Sequence, residues 1–145
     1  MIKDKGIART VNPPAASAGA FVDAGYDVFG RQIITPYQIR ELVATASATV
    51  ANGTETTLLA GIAGTFLDLI HISCSNNSDV AVIVSIRDAT LGGVVKTISV
   101  PANGVSSLNF QVPYPQNFRA DTWTADIPDI TGTTVTVEAL FVKNI

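Results

Sequence analysis

The chain has 145 residues, of which 47% are hydrophobic and 14% charged, and its formal net charge is −3 at pH 7. A chain of this length suits one domain, which can bury roughly two thirds of its unfolded surface without a metal or a disulfide. One cysteine and one histidine exclude an internal disulfide and a metal site built on two histidines, and no apolar run approaches the ~20 residues of a membrane span.

The charged residues are few for a free monomer, and they are unevenly distributed. Five basic residues against three acidic ones give residues 1–40 a net charge of +2, so residues 41–145 carry −5. The low charge content indicates that part of the surface belongs to an interface. The acidic body argues against nucleic acid as a partner, whereas the mildly basic start could dock on an acidic partner. The charged start shows no export signal, so we expect synthesis in the cytoplasm.

Residues 1–39 are predicted to form an extended N-terminal arm. Pro13 and Pro14 are followed by small residues at 15–20 without an amphipathic period, and small residues bury too little surface to hold a shape alone. Two interpretations stay open. The arm is either a disordered terminus or a segment that becomes ordered by lying along another subunit.

The most distinctive part of the arm is residues 23–37, where aromatic and β-branched residues flank Gly30 and Arg31 and Pro36 closes the run. This pattern favours an anchored peptide whose aromatic side chains fill pockets elsewhere. The segment from 27 to 37, DVFGRQIITPY, resembles the D-x-F-G-R-x-x-x-x-P-Y segment near the start of many tailed-bacteriophage virion structural proteins. The resemblance implies an anchoring role for three side chains in this segment, which are Phe29, Arg31 and Tyr37.

From residue 40 onward, short apolar alternations are separated by turn residues every 8–12 positions, which is typical of a β-sandwich or barrel. Alternating residues point to opposite faces of a strand, so Val135, Val137 and Phe141 are predicted to face a core. Eight strands are predicted, at residues 43–50, 56–60, 66–75, 80–87, 94–100, 107–112, 123–127 and 135–141.

The predicted fold is all-β: an eight-stranded antiparallel β-sandwich, jelly-roll-like, over residues 40–145. A Greek-key sandwich of another strand order fits nearly as well. The polar run 76–79 predicts a hairpin that joins the third and fourth strands. In the third strand, Ile70, Ile72 and Cys74 are predicted to face one way and Leu69 the other. No helix longer than a turn or two is predicted.

The body, over about residues 64–144, also resembles small phage and prophage proteins. The matching features are GTFLDLI from residue 64, IRDA from 86, VPA from 100, VP at 112, PQ at 115, WT at 123 and VKN at 142. The resemblance implies a virion setting. Proteins of this size in that setting are often capsid decoration or cement proteins, frequently trimeric, that sit on the outer shell at junctions between capsomers.

Few side chains could carry chemistry. Cys74 lies on an apolar strand face, which predicts a buried thiol, and His71 is predicted to be structural or part of an interface. The run 76–79 is the closest approach to a calcium loop, but turn chemistry explains it. Trp123 is predicted to be core, although with Tyr114 and Phe118 it could form a sugar-stacking platform.

The sequence therefore predicts a non-enzymatic capsid decoration protein, without a cofactor or metal, made in the host cytoplasm and located on the capsid surface. Its predicted partners are the major capsid protein and two further copies of itself, with no nucleic acid and no membrane. A tail, neck or baseplate component and a carbohydrate- or receptor-binding module stay open as alternatives. The residues predicted to contact the shell or other subunits are Phe21, Tyr26, Phe29, Arg31 and Tyr37 of the arm, and Leu140 and Val142 of the body.

Overall fold

The computed structural model describes residues 7–8, 25–26, 42–51 and 53–144. The chain divides into two units, Met1–Arg40 and Glu41–Ile145. In the first unit, strand β1 (Ile7–Ala8) pairs in parallel with strand β2 (Gly25–Tyr26). The rest of the predicted arm lies outside the described residues.

The second unit contains eight strands, and all eight predicted strands are confirmed within a few residues of their predicted ends. None of the described segments forms an α-helix, and none is a helix of the length and apolarity that a membrane crossing requires. The strands are β3 (Val43–Ala51), β4 (Thr56–Leu59), β5 (Phe66–Asn76), β6 (Val82–Arg87), β7 (Val94–Val100), β8 (Gly104–Tyr114), β9 (Trp123–Asp126) and β10 (Thr134–Asn144).

The eight strands form two four-stranded antiparallel sheets. Sheet I has the order β3-β10-β5-β8, and sheet II has the order β4-β9-β6-β7. Strands adjacent in sequence lie in different sheets at every connection from β3 to β10 except that between β6 and β7. This order is that of a jelly roll, in which two Greek keys wrap around one core. The structure thus selects the jelly roll over a sandwich of another order.

The predicted hairpin between the third and fourth strands is wrong, because β5 belongs to sheet I and β6 to sheet II. The side chain of Asn76, 1% exposed, fixes the crossing. Its Nδ2 donates to the carbonyl of Val80 at 2.8 Å and to that of Pro101 at 3.1 Å, while its Oδ1 accepts from the Ser78 amide at 2.9 Å. The run 76–79 is a turn, as predicted, but it carries the chain across the sandwich.

The core lies between the two sheets and consists mainly of the side chains that alternate inward. Trp123 and Phe141 are each 0% exposed, and their ring centroids are 5.5 Å apart. The Trp123 Nε1–H donates to the carbonyl of Leu67 at 2.7 Å, so the indole nitrogen is satisfied as burial requires. Other fully buried core residues are Val50, Leu69, Ile72, Cys74, Val84, Ile86, Val100, Ala125, Val135 and Val137.

In the third predicted strand, β5, the predicted direction of one side chain is wrong. Leu69, predicted to face away from Ile72, belongs to the core cluster with it, whereas Ile70 does not. A bulge explains the change, because β10 pairs with Leu69 and with His71 and skips Ile70. The extra residue reverses the alternation on one side of the bulge.

Val112 departs from the apolar alternation that Leu108 and Phe110 begin in β8, since its side chain is 78% exposed. The pairing of β8 with β5 jumps from Asn109 to Tyr114, so residues 110–113 leave the regular register. Pro113 lies in this stretch and has no N–H to contribute to a ladder.

The loop 115–122 closes one end of the sandwich through a buried glutamine. The Leu67 amide donates to Gln116 Oε1 and the Gln116 amide donates to Asp68 Oδ1, both at 2.9 Å. Gly61 lies against this loop so closely that a Cβ built on it would stand 1.8 Å from the carbonyl oxygen of Ala120. Only glycine fits there without displacing the loop backbone.

We therefore expect Gly61→Ala to lower the free energy of unfolding by about 2 kcal/mol or more, because backbone must move to relieve the overlap. Chemical denaturation followed by tryptophan fluorescence measures the change. Gly93→Ala is the matched control, since a Cβ at Gly93 meets nothing within 4 Å, and its effect should stay within about 0.5 kcal/mol. Equal stability of the two variants would contradict the close approach.

Candidate functional site

The most uniform surface of the sandwich is the outer face of sheet I, which points away from the core. Strand pairing places its side chains in three rows of four across β3, β10, β5 and β8. Seven of these twelve side chains are serine or threonine, and one is a carboxylate. The rows are Thr49, Thr136, Ser75 and Val105; Ser47, Glu138, Ser73 and Ser107; and Thr45, Leu140, His71 and Asn109.

A shallow groove of about 400 Å³ runs over this face between β3 and β5, lined mainly by Thr45, Ser47, His71, Glu138 and Leu140. His71 Nδ1 lies 2.6 Å from the Oδ1 of Asn109, so the ring N–H donates to the amide oxygen. Hydroxyl and amide groups can each donate and accept. The face is therefore suited to many weak hydrogen bonds with a polar neighbour.

Two predicted interface residues, Leu140 and Val142, lie on β10 with their side chains on the side opposite Val137 and Phe141, as the alternation predicted. Leu140 is half-buried at the groove. Val142 is 6% exposed, so it offers little area to another subunit. Their role between subunits stays a prediction.

The predicted arm contacts cannot be placed on this surface. Phe21, Phe29, Arg31 and Tyr37 lie outside the described residues, and Tyr26 is described only through the pairing of β2 with β1. Their anchoring role also stays a prediction.

The alternative prediction of an aromatic platform that stacks a sugar ring is wrong for Trp123. Trp123 is 0% exposed and its ring lies in the core, as the favoured interpretation predicted. Tyr114 is half-buried beneath Lys96, whose Nζ lies 4.3 Å from the ring centroid. Phe118 is 71% exposed and is the one ring of the three that solvent reaches freely.

The thiol of Cys74 is buried, as predicted. Burial raises its pKa to about 12, because the charged thiolate would lose its hydration in the core. Across residues 42–51 and 53–144, no group of three or more His, Cys, Asp or Glu side chains is placed to hold a metal ion.

The outer face of sheet II carries a polar network that the sequence analysis did not identify. Thr124 Oγ1 donates to Glu55 Oε1, and the Leu91 amide donates to both Glu55 oxygens at 2.9 and 3.1 Å. Arg87 Nη2 lies 3.8 Å from Asp126 Oδ2, and Arg87 Nη1 donates to the carbonyl of Gly92 at 2.6 Å. The network ties the β6–β7 turn to the sheet. Its residues come from three separate turns and strands, so no local spacing could have signalled it.

An apolar notch lies beside this network, where β9 stops pairing with β6 after Asp126. It measures about 240 Å³ and is lined by Ile83, Pro128 and Ile130 among others. Ile83 is 53% exposed. In β6, Ile83 stands between the buried Val82 and Val84. The period of two in the sequence therefore carried the signal for this exposed side chain.

No protein-family model matches the chain, and no curated protein matches it significantly. Among solved structures the chain is similar to PirA, with a TM-score of 0.45 and 10% identity over 66% of this chain and 92% of that one. It is similar to the coat protein of Tobacco streak virus, with a TM-score of 0.41 and 8% identity over 74% and 90%. It is also similar to the structure described as Bacillus endospore appendages that form disulfide-linked pili, with a TM-score of 0.34 and 14% identity over 69% and 88%. These similarities do not show a family, so the function proposed below rests on the residues of this chain.

We expect the Cys74 thiol to resist a thiol-specific chromogenic reagent in the native protein and to react fully after unfolding. Burial and the raised pKa both deplete the accessible thiolate, which is the reactive form. Absorbance of the released chromophore, with and without guanidinium, measures the difference. Ser107→Cys, which places a thiol on an exposed strand position, should add one rapidly reacting equivalent. Rapid reaction of the unaltered native protein would contradict the burial of Cys74.

We also expect Glu55 to contribute stability that acid removes. The hydrogen bond from Thr124 holds the pKa of Glu55 below the ordinary value of 4.5 against desolvation, helped by the Leu91 amide and the Arg87 charge. A carboxyl whose pKa is lower in the folded state stabilises above its unfolded pKa and loses that contribution as the pH falls through its folded pKa. The stability difference between the protein and its Glu55→Gln variant should therefore shrink below about pH 4.5. Thr124→Val should reduce the same pH dependence; an unchanged pH profile would contradict the role of this hydrogen bond.

Proposed function

We propose that this chain is a non-catalytic structural subunit of a virion and, more narrowly, a tailed-bacteriophage decoration protein that binds the outer capsid shell. The observation that carries the proposal is the outer face of sheet I, with one carboxylate among the twelve side chains of the three rows described above. Such a face can be covered by another protein with little cost, because few ions lose their hydration.

The fold supports this proposal by analogy. Jelly rolls occur in viral capsid proteins and in lectin domains, and a fold alone does not define function. The burial of Trp123 at 0% exposure removes the stacking surface on which the sugar-binding alternative depended. The resemblance of residues 27–37 to phage virion proteins favours a virion setting.

In this proposal, the body and the arm have different tasks. In the body, apolar side chains on the outer side of β10, such as Leu140 and Val142, contact copies of the same chain. The arm from 20 to 37 reaches the major capsid protein through its aromatic side chains and Arg31. The mechanism is mass action, since a protein that binds the assembled shell and not its separated subunits stabilises the shell by RT ln(1 + [L]/Kd) per site.

Deletion of residues 1–37 tests the assignment of shell binding to the arm. The deletion leaves the core between sheets I and II whole, so we expect a folded protein that no longer binds capsids. Binding is measured by co-sedimentation with purified capsids that lack the protein, and folding by circular dichroism. Unchanged binding by the shortened protein would show that the arm assignment is wrong.

The triple variant Phe29→Ala, Arg31→Ala and Tyr37→Ala is a finer test in the full-length chain. We expect it to bind as weakly as the deletion, while Phe118→Ala, which removes an exposed ring of the body, should bind normally. An electron-microscopy map of purified particles separates the head from the tail. Density spread over the shell supports the decoration role, and density confined to the tail overturns it.

A further inference from the structure

Among the described strands the sandwich has four edge strands, and three of them carry features that disfavour pairing with a further strand. β4 has four residues and its register shifts between Thr57 and Leu59. β7 contains Lys96, and its register with β6 shifts between Ile86 and Arg87. β8 contains Pro113 and leaves its register after Asn109. Short length, bulges and proline are the usual devices that protect a sheet edge.

The fourth edge, β3, has none of these devices. It pairs with β10 along all nine residues, Val43–Ala51, and no register shift interrupts the pairing. It contains no charged residue, no proline and no glycine. Among the described residues β3 is the end of sheet I. A long, regular, uncharged edge is a template for another strand.

The sequence of β3 identifies what that strand is. VATASATVA reads nearly the same in both directions from Ser47. When two copies run antiparallel about a two-fold axis at Ser47, Ala46 faces Ala48 and Thr45 faces Thr49. In each of the two outer pairs, an alanine of one copy faces a valine of the other. A two-fold interface requires such self-complementarity, because each copy presents the same patch to the other.

We propose that two copies of this chain join by antiparallel pairing of their β3 strands about a two-fold axis at Ser47. The pairing continues sheet I of one copy into sheet I of the other and makes one eight-stranded sheet. This contact goes beyond the proposed function, since it names a symmetric junction between protomers that needs neither the arm nor a capsid. For the free protein it replaces the trimer that the family resemblance implied with a two-fold pair.

The pairing is favourable on the outer face and neutral in charge. Every second residue of each β3 turns its N–H and C=O outward, which gives about eight to ten hydrogen bonds across the junction. Thr45 and Thr49 are exposed and face each other, and such pairs are favourable across antiparallel strands. The nearest charges are the two Glu138 side chains, each one strand behind β3. They are separated by three strand spacings, about 14 Å, where salt largely screens their repulsion.

Ser47→Lys in the full-length protein tests the junction. The side chain at this position is exposed, so the variant should fold, but it places two lysines directly opposite each other. Ser107→Lys is the matched control, because Ser107 lies in the same row at the opposite edge of sheet I. Analytical ultracentrifugation of the free protein should show a dimer for the unaltered protein and for Ser107→Lys. The dimer dissociation constant of Ser47→Lys should rise about tenfold or more.

A mixture of Ser47→Lys with Ser47→Glu tests the position of the axis. Opposite charges then face each other, so the mixture should form a heterodimer that is more stable than the dimer of Ser47→Lys alone. Ser47→Cys should form an intermolecular disulfide under mild oxidation, and Ser107→Cys should not. The proposal is overturned if the unaltered protein is monomeric at every concentration, or if its oligomer is as stable in Ser47→Lys as in Ser107→Lys. All these measurements use the free protein, so their failure is separate from a failure of capsid binding.

Discussion

The register of β10 against its two neighbours decides the character of both faces of sheet I. β10 pairs with β3 on one side and with β5 on the other. A slip of one residue would turn Val135 and Val137 to the outside and bring Glu138 and Leu140 into the core. Both valines are 0% exposed. Their burial fixes the register of β10, and the register keeps the polar side chains on the outer face.

This arrangement combines a low charge content with a polar surface. A face with hydroxyl groups stays wetted in the free protein, and it gives up little hydration when another subunit covers it. The uncharged strand β3 forms one border of the same face. The polar face and the uncharged edge both favour contact between protein surfaces. The one thiol of the chain, Cys74, lies in the core.

The crossing after β5 shows how tertiary contacts override a local signal. The polar residues at 76–79 are typical of a hairpin turn, and a turn does form there. Its direction is set by Asn76, whose side chain binds the carbonyl of Pro101, 25 residues along the chain. A turn sequence encodes that the chain reverses, but a distant acceptor decides which sheet receives the next strand.

The sequence by itself determined the eight strands, the inward set of most of them and the burial of Cys74 and Trp123, because alternation is a property of a few neighbouring residues. Only the tertiary structure decided the strand order, the bulge at Ile70, the exposure of Val112 and the burial of Val142. These depend on which strands meet and where their registers break, and such contacts join residues far apart in the chain. The edge position of β3 among the described strands is of the same kind, since it depends on which partners the other strands have.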